Sequence, residues 1–159
     1  MSAVPAPLSR EQHIWRGKIL VATFMAYAAY YLVRKVFNLC KTTLAAPVEE
    51  GGYGIGFDQV ANIGTAFLVA YMLGQFINSF VGRKYGPRIL LLGGLALSIA
   101  CNVVFGFANS YPTFLAFMFF NGIVQAAGWP GAVGGVAEWL RKSDRGTIMG
   151  VWSTSYVVG

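Results

Sequence analysis

Two long stretches of the sequence contain no charged side chain, and they restrict what this chain can fold into. Residues 59–82 form the first stretch and residues 89–137 form the second. A helix needs about 20 residues to cross the hydrocarbon core of a membrane, so the first stretch can hold one span and the second can hold two. Only 11% of the residues are charged, which is about half the fraction typical of a soluble domain. The sequence therefore predicts an all-α integral membrane protein.

Turn signals and charges divide the apolar segments into spans. Pro47 marks the end of the first span, and Pro87 suits the first turn of the third. We expect a cytosolic tail at residues 1–17, then four membrane-spanning helices and the start of a fifth. The predicted spans are residues 18–46, 59–82, 89–108, 113–140 and, incomplete, 146–159. Because the fifth segment is too short to cross, we expect the sequence to be part of a longer protein.

The basic residues predict the orientation of the chain. Cations precede the first span and recur in the links between spans two and three and between spans four and five: Arg10, Arg16, Lys18, Arg83, Lys84, Arg88, Arg141, Lys142 and Arg145. The links on the other side are acidic or uncharged, and Lys41 can snorkel to the surface there. By the positive-inside rule the amino terminus is cytoplasmic. We expect a multi-pass protein of the plasma (inner) membrane, with an organelle membrane as the alternative.

Two cations, Arg34 and Lys35, lie deep inside the first predicted span. An Arg or Lys near the centre of a span costs roughly 2.5–3.5 kcal/mol on insertion scales, so it needs protein, water or an anion beside it. On a helix, Tyr27, Tyr31 and Arg34 occupy positions i, i+4 and i+7 and share one face. An Arg offers a planar donor fork that matches phosphate or carboxylate. This face is therefore predicted to bind an anion, while Lys35 points about 100° away from it.

Other kinds of chemistry find little support in the sequence. It contains no nucleophile–base pair, metal cluster or phosphate loop, so we expect no enzyme activity, no metal and no cofactor. The cations lie in short links between spans, so the expected partner is a lipid bilayer and not nucleic acid. Glycines four residues apart, in the pairs Gly131–Gly135 and Gly146–Gly150, predict close packing between helices.

Three segments carry a resemblance to a known family. AYAAYYLVRKVF (residues 26–37) is similar to the first helix of the organophosphate:inorganic phosphate antiporters, which include glycerol-3-phosphate and hexose-phosphate transporters. NGIVQAAGWP (residues 121–130) is a second match, with Arg145-Gly146 and Val151-Trp152 following at the family's spacing. GRKYGPR (residues 82–88) resembles the loop between helices two and three of the wider major facilitator superfamily. The resemblance implies a fragment of the major facilitator fold.

The resemblance also implies roles for particular residues. Arg34 would bind the phosphoryl group, with a second Arg supplied by the remaining half of the transporter. Tyr27 and Tyr31 match positions that line the substrate cavity of the family, and Lys35 matches its neighbouring cation. From the second helix, Tyr71 and Gln75 could face the same cavity.

Two positions depart from the glycerol-phosphate members of the family. Gln75 stands where those members carry a Lys in helix two, and Tyr156 stands where they carry a His in helix five. These departures leave the particular substrate and any linkage to protons open.

The expected function is that of a secondary transporter that exchanges an organophosphate, either a sugar phosphate or glycerol phosphate, for inorganic phosphate by alternating access. One alternative is a membrane receptor or sensor of sugar phosphates. Another is a carrier of a different organic anion, for instance a carboxylate, which the same Arg could bind.

Overall fold

The computed structural model describes residues 9–141 and 143–159, and all regular structure within them is helical. The helices in chain order are α1 (Arg10–Ala45), α2 (Phe57–Tyr85), α3 (Pro87–Phe105), α4 (Tyr111–Gln125), α5 (Gly128–Ala137), α6 (Arg145–Ser153) and α7 (Ser155–Val158). A short 3-10 turn, Val48–Glu50, connects α1 to α2. The all-α prediction is confirmed. The first eight residues of the predicted tail and Lys142 lie outside the described residues.

The first helix begins earlier than the first predicted span because its amino-terminal end is capped. The backbone N–H of Gln12 donates to the hydroxyl of Ser9 at 3.2 Å, and the backbone N–H of Ser9 donates to Gln12 Oε1 at 2.9 Å. This reciprocal pair is a capping box. Residues 10–17, which the sequence assigned to a tail, therefore continue α1. At its other end the helix stops at Ala45, two residues before Pro47.

In the part of the chain that the structure describes, three helices, α1, α2 and α3, are long and apolar enough to cross a membrane. The fourth predicted span, residues 113–140, is divided between α4 and α5, so the count of four spans remains a prediction. Ala126 and Ala127 separate these two helices and keep right-handed helical dihedral angles, φ −65° and ψ −12° for Ala126, and φ −70° and ψ −22° for Ala127. The interruption is therefore a local distortion of a helical backbone.

Pro130 explains this interruption, which falls one turn before the proline itself. A proline has no N–H, and its ring crowds the carbonyl four residues earlier, which here belongs to Ala126. The backbone also tightens, because the N–H of Ala127 donates to the carbonyl of Val124 at 3.1 Å instead of to that of Ile123. Two backbone carbonyls, those of Ile123 and Ala126, are thus left for other donors.

Side chains from α2 donate to both freed carbonyls. Asn78 Nδ2 donates to the carbonyl of Ile123 at 2.7 Å, and Gln75 Nε2 donates to that of Ala126 at 3.4 Å. Within hydrocarbon there is no water to satisfy such groups, so a broken helix needs donors from its neighbours. The distortion of the α4–α5 segment therefore depends on the position of α2.

Glycines bring the backbones of α2 and α4 into contact. A Cβ atom added at Gly74 would lie 2.7 Å from the carbonyl oxygen of Ile123, and one added at Gly122 would lie 2.8 Å from the Cβ of Ala70. Lipid chains are as apolar as leucine, so close contact of this kind, and not exclusion of water, holds membrane helices together.

Buried apolar side chains form two clusters at different heights in the bundle. The first comprises Phe37, Leu44, Ile55, Val60, Ile63, Phe67, Phe105, Ala108, Phe114 and Met118. The second comprises Tyr27, Tyr30, Leu91, Ala132, Val136, Leu140 and Trp152. Between them lies a polar layer, which we define as Arg34 from α1, Ser98 from α3, and Asn121 and Gln125 from α4. The clusters thus enclose a layer of hydrogen-bonding groups.

The three basic segments of the chain meet at one end of the bundle. Arg16 Nη2 and Asp144 Oδ2 form an ion pair at 3.1 Å, which joins the start of α1 to the link before α6. Arg88, at the start of α3, lines a groove together with Trp15 and Glu138. Hydrogen bonds from Ser143 and Arg16 lower the pKa of the Asp144 carboxyl group.

Two adjacent glycines of α3 provide a matched test of the packing. A Cβ atom at Gly94 would collide with the Tyr30 hydroxyl and lie 2.6 Å from the Cβ of Ala127, whereas a Cβ at Gly93 meets nothing within 4 Å. The Tyr30 hydroxyl donates to the carbonyl of Leu91 at 2.8 Å and would have to move. We expect Gly94→Ala to destabilise the protein by about 1–3 kcal/mol.

The measurement is the melting temperature of the full-length protein in detergent. Gly93→Ala is the control, and it should leave the melting temperature equal or slightly higher, because Ala favours a helix over Gly by about 1 kcal/mol. Equal melting temperatures for the two variants would contradict the described contact between α3 and Tyr30.

Candidate functional site

The guanidinium of Arg34 lies among three aromatic rings. Its central carbon is 4.7 Å from the ring centre of Tyr71, 5.0 Å from that of Tyr31 and 5.5 Å from that of Phe67. Each ring presents π-electron density to the cation, and such contacts are worth about 0.5–2 kcal/mol each. The rings from α1 and α2 therefore hold the side chain in place within the bundle, but they do not neutralise its charge.

No anionic partner is found for Arg34 among the described residues. Its Nε is buried and has no hydrogen-bond acceptor in the described part of the chain. A buried donor without an acceptor costs about 1–3 kcal/mol, and more when the group is charged. Within the described residues, the buried Nε–H of Arg34 therefore lacks an acceptor with negative charge.

A cavity of about 350 Å³ borders the guanidinium. Its polar lining residues are Arg34, Asn38, Lys41, Thr65 and Asn121, and its larger apolar ones are Phe37, Phe67, Leu68 and Met118. This volume lies at the lower end of the range for small-molecule sites, which is about 300–1,000 Å³. Among the described residues the lining contains two cations and no acidic side chain, so the cavity is suited to a small anion.

Three of the six predicted site residues come together. Tyr31 and Tyr71 contact the Arg34 guanidinium directly. Tyr27 lies one turn before Tyr31 and meets its ring edge-on at 5.4 Å between centroids, but it is only 6% exposed and does not line the cavity. Its ring also packs against Trp129 at 5.7 Å. Its contact with substrate remains a prediction.

The other two predicted residues lie apart from the guanidinium. Gln75 is one turn beyond Tyr71 on α2, where its side chain donates to the carbonyl of Ala126. It thus supports the interrupted helix, and its role in substrate binding remains a prediction. Lys35 is exposed on α1 and has no hydrogen bond or ion pair within residues 9–141 and 143–159. Its role also remains a prediction.

Several cavity residues were not predicted from the sequence. Asn38 and Lys41 continue the spacing of the Tyr27, Tyr31 and Arg34 face, at steps of four and three residues, so periodicity could have found them. The Nζ of Lys41 lies 5.2 Å from the ring centre of Phe37, one turn earlier. Phe67 and Asn121 come from α2 and α4, and nothing local in the sequence assigns either residue to Arg34.

An aromatic cluster connects the site to the last helices. The Trp152 ring lies 5.4 Å from that of Tyr27, and its Nε1 donates to the Thr23 hydroxyl at 3.1 Å. The ring of Tyr156, the residue that stands in place of the family's His, lies 6.1 Å from that of Tyr31. Movement of α6 or α7 would therefore act on the same face of α1 that carries Arg34.

Comparison with known proteins gives one family match. The family model described as Major Facilitator Superfamily matches residues 19–159. No solved structure matches this chain.

Curated relatives cover nearly the whole chain. It is 31% identical over 157 residues to a probable hexose phosphate transport protein of Chlamydia trachomatis, covering 98% of this chain and 33% of the relative. It is 31% identical to the glucose-6-phosphate exchanger SLC37A2 of Bos taurus, covering 92% of this chain and 35% of the relative. A putative glycerol-3-phosphate transporter 2 of Arabidopsis thaliana is 34% identical, covering 91% of this chain and 31% of the relative. The chain thus spans about a third of the length of these relatives.

Removal of the Arg34 charge should abolish the response of the protein to phosphate. Arg34→Met keeps an unbranched side chain but no charge, so the full-length variant loses the donor fork that would bind the anion. The measurement is the melting temperature in detergent with and without inorganic phosphate. Phosphate should raise the melting temperature of the wild type and not that of the variant.

Arg83→Met is the matched control. The Arg83 guanidinium also lies 4.7 Å from a ring centre, that of Phe80, but it is exposed near the end of α2. We expect this control to keep both the wild-type melting temperature and the response to phosphate. A melting temperature of Arg34→Met that rises with phosphate as much as that of the wild type would contradict an anion site at position 34.

Proposed function

The chain belongs to the major facilitator superfamily, and we propose that it forms part of a transporter that exchanges an organophosphate for inorganic phosphate. The relatives described above are named as hexose phosphate, glucose-6-phosphate and glycerol-3-phosphate transporters. Because the chain spans only about a third of their length, the activity belongs to a longer protein that contains it.

One observation carries this proposal: Arg34 is a cation without an anion. Its guanidinium lies between two apolar clusters, borders a cavity and has a buried Nε without an acceptor in the described residues. An ionisable side chain at membrane depth is a candidate functional group by default, because its cost has to be offset. A ligand with negative charge would offset that cost.

A phosphoryl group fits this site better than a carboxylate. It carries about −1.5 to −2 charges near neutral pH, against −1 for a carboxylate, and has more oxygens that accept hydrogen bonds. Arg34 can bind two of these oxygens with its donor fork. Lys41 lines the same cavity and adds positive potential. A second Arg from the remainder of the transporter would complete the neutralisation.

The charge balance supports exchange over leakage. In the empty transporter, Arg34 and its counterpart from the other half would repel each other and oppose closure of the cavity. With phosphate or an organophosphate bound, the charges balance, and the two halves can rock around the site. Each change of access would then require a bound anion, so outward movement of one anion is coupled to inward movement of another.

The distribution of cations supports the proposed orientation. The amino-terminal end of α1, the α2–α3 link and the link before α6 lie together at the basic end of the bundle. Under the positive-inside rule this end is cytoplasmic. The cavity at Arg34 and Lys41 then lies in the half of the bundle away from the cytoplasm. We propose the plasma (inner) membrane as the location.

The test is counterflow in proteoliposomes that contain the full-length protein and are loaded with phosphate. We expect uptake of labelled phosphate and of sugar phosphates, and a loss of at least about 100-fold for Arg34→Gln, since two charge-assisted hydrogen bonds are worth about 1.5–3 kcal/mol each. Arg83→Gln is the control and should retain exchange.

Three other results would each contradict this proposal. Exchange at the wild-type rate by Arg34→Gln would remove its chemical basis. Inhibition by carboxylates stronger than by phosphate would favour a carrier of another organic anion. Saturable binding of sugar phosphates with no counterflow would favour a receptor.

A further inference from the structure

Asn121 of α4 lies in the wall of the cavity that Arg34 borders. It is only 3% exposed, and its Oδ1 accepts a hydrogen bond from the Ser98 hydroxyl at 2.7 Å. The Nδ2 of Asn121 has no hydrogen-bond partner among residues 9–141 and 143–159. Unlike the Nε of Arg34, which also lacks a partner, this atom is not completely shielded from solvent. The unused donor of Asn121 therefore has access to the cavity.

A chain of hydrogen bonds decides which end of the Asn121 amide is the donor. Gln125 Nε2 donates to the backbone carbonyl of Tyr30 at 3.3 Å and to the Ser98 hydroxyl at 2.8 Å. Because a carbonyl oxygen can only accept, the atom of Gln125 that faces Tyr30 has to be the nitrogen. Ser98 then accepts from Gln125 and has a single proton, which it donates to Asn121. The Asn121 atom that receives it is the oxygen, and the remaining atom is the nitrogen.

We propose that Asn121 is a ligand of the transported anion, and that its Nδ2 donates to an oxygen of the phosphoryl group held by Arg34. Gln125 and Ser98 are positioning residues that keep this donor turned toward the cavity. This inference rests on the proposed anion site at Arg34. It adds a neutral donor to that site, which strengthens binding without a further buried charge.

The chemistry of the ligand fits this arrangement. The fork of Arg34 can occupy two oxygens of a phosphoryl group, and the remaining oxygens need other donors. A side-chain amide nitrogen carries two N–H groups and no charge. Asn121 lies on α4 and Arg34 on α1, so the ligand would contact both helices. Binding of the anion would therefore also act on the α4–α5 segment, through its hydrogen bond to the Asn121 amide.

The first test measures phosphate exchange by the full-length protein in proteoliposomes. We expect Asn121→Asp to raise the KM for inorganic phosphate by about 10-fold or more, since a hydrogen bond to a charged group is lost and a negative charge is added. Asn121→Leu, of similar size and without charge, should also raise the KM by about 10-fold. The KM is the informative readout, because a purely structural role would lower the melting temperature instead.

Asn102→Asp is the matched control. Asn102 lies one turn beyond Ser98 on α3, donates its Nδ2 to the carbonyl of Ser98 at 2.8 Å and does not line the cavity. The same change of chemistry at this neighbouring position should lower the melting temperature and leave the KM for phosphate unchanged.

The second test releases the orientation of Asn121 without altering Asn121 itself. An Ala at position 98 has no hydroxyl, so Asn121 Oδ1 loses its donor and the amide can turn either end toward the cavity. We therefore expect Ser98→Ala to raise the KM for phosphate by about 5-fold or more, whereas Ser98→Thr, which keeps a hydroxyl, should keep the KM within about 2-fold of wild type.

The outcomes separate this inference from the proposed function. A wild-type KM in both Asn121 variants, with exchange abolished by Arg34→Gln, would overturn the role of Asn121 and leave the transporter proposal standing. Exchange that survives Arg34→Gln would instead overturn the proposed function itself. A wild-type KM in Ser98→Ala would overturn the positioning role of Ser98 and, with it, that of Gln125.

Discussion

A positive charge without an anionic partner is the constraint on which the rest of this bundle depends. Arg34 lies between two apolar clusters, and its surroundings hold it without neutralising it: three rings contact the guanidinium, and no acidic side chain in the described residues pairs with it. Aromatic quadrupoles reduce the cost of the charge. They also leave the hydrogen-bonding edge of the guanidinium unused, so the arrangement keeps the Arg ordered and still able to bind an anion.

The second constraint is that backbone polar groups within a membrane need partners. Pro130 interrupts the fourth helical segment and frees two carbonyls, and Gln75 and Asn78 of α2 donate to them. The glycines at positions 74 and 122 allow this, because they let the two helices approach closely enough for short side chains to reach. Gln75 thus shows how a polar residue suggested for a binding site can also support a broken helix.

A local reading of the sequence was sufficient for much of this picture. Membrane class, helical structure and the depth of Arg34 follow from charge-free runs and from the cost of a buried cation. Helical periodicity placed Tyr31 on the face of Arg34, where the structure has it. Glycine spacing was less informative: Gly131 does pack against Leu91, but a Cβ atom added at Gly146 or Gly150 would meet no atom of another described segment within 4 Å. The tightest contacts between α2 and α4 lie at glycines outside the predicted pairs.

The sequence by itself determined which segments are apolar helices and which cations lie deep inside one of them, because both follow from transfer energies and from the 3.6-residue repeat of a single helix. Only the tertiary structure decided that the Phe67 ring contacts Arg34 and that Asn121 lines the same cavity. Such contacts depend on the rotation and height of one helix relative to another, which side-chain packing sets. The same holds for the orientation of the Asn121 amide, which is fixed by a hydrogen-bond chain from three helices.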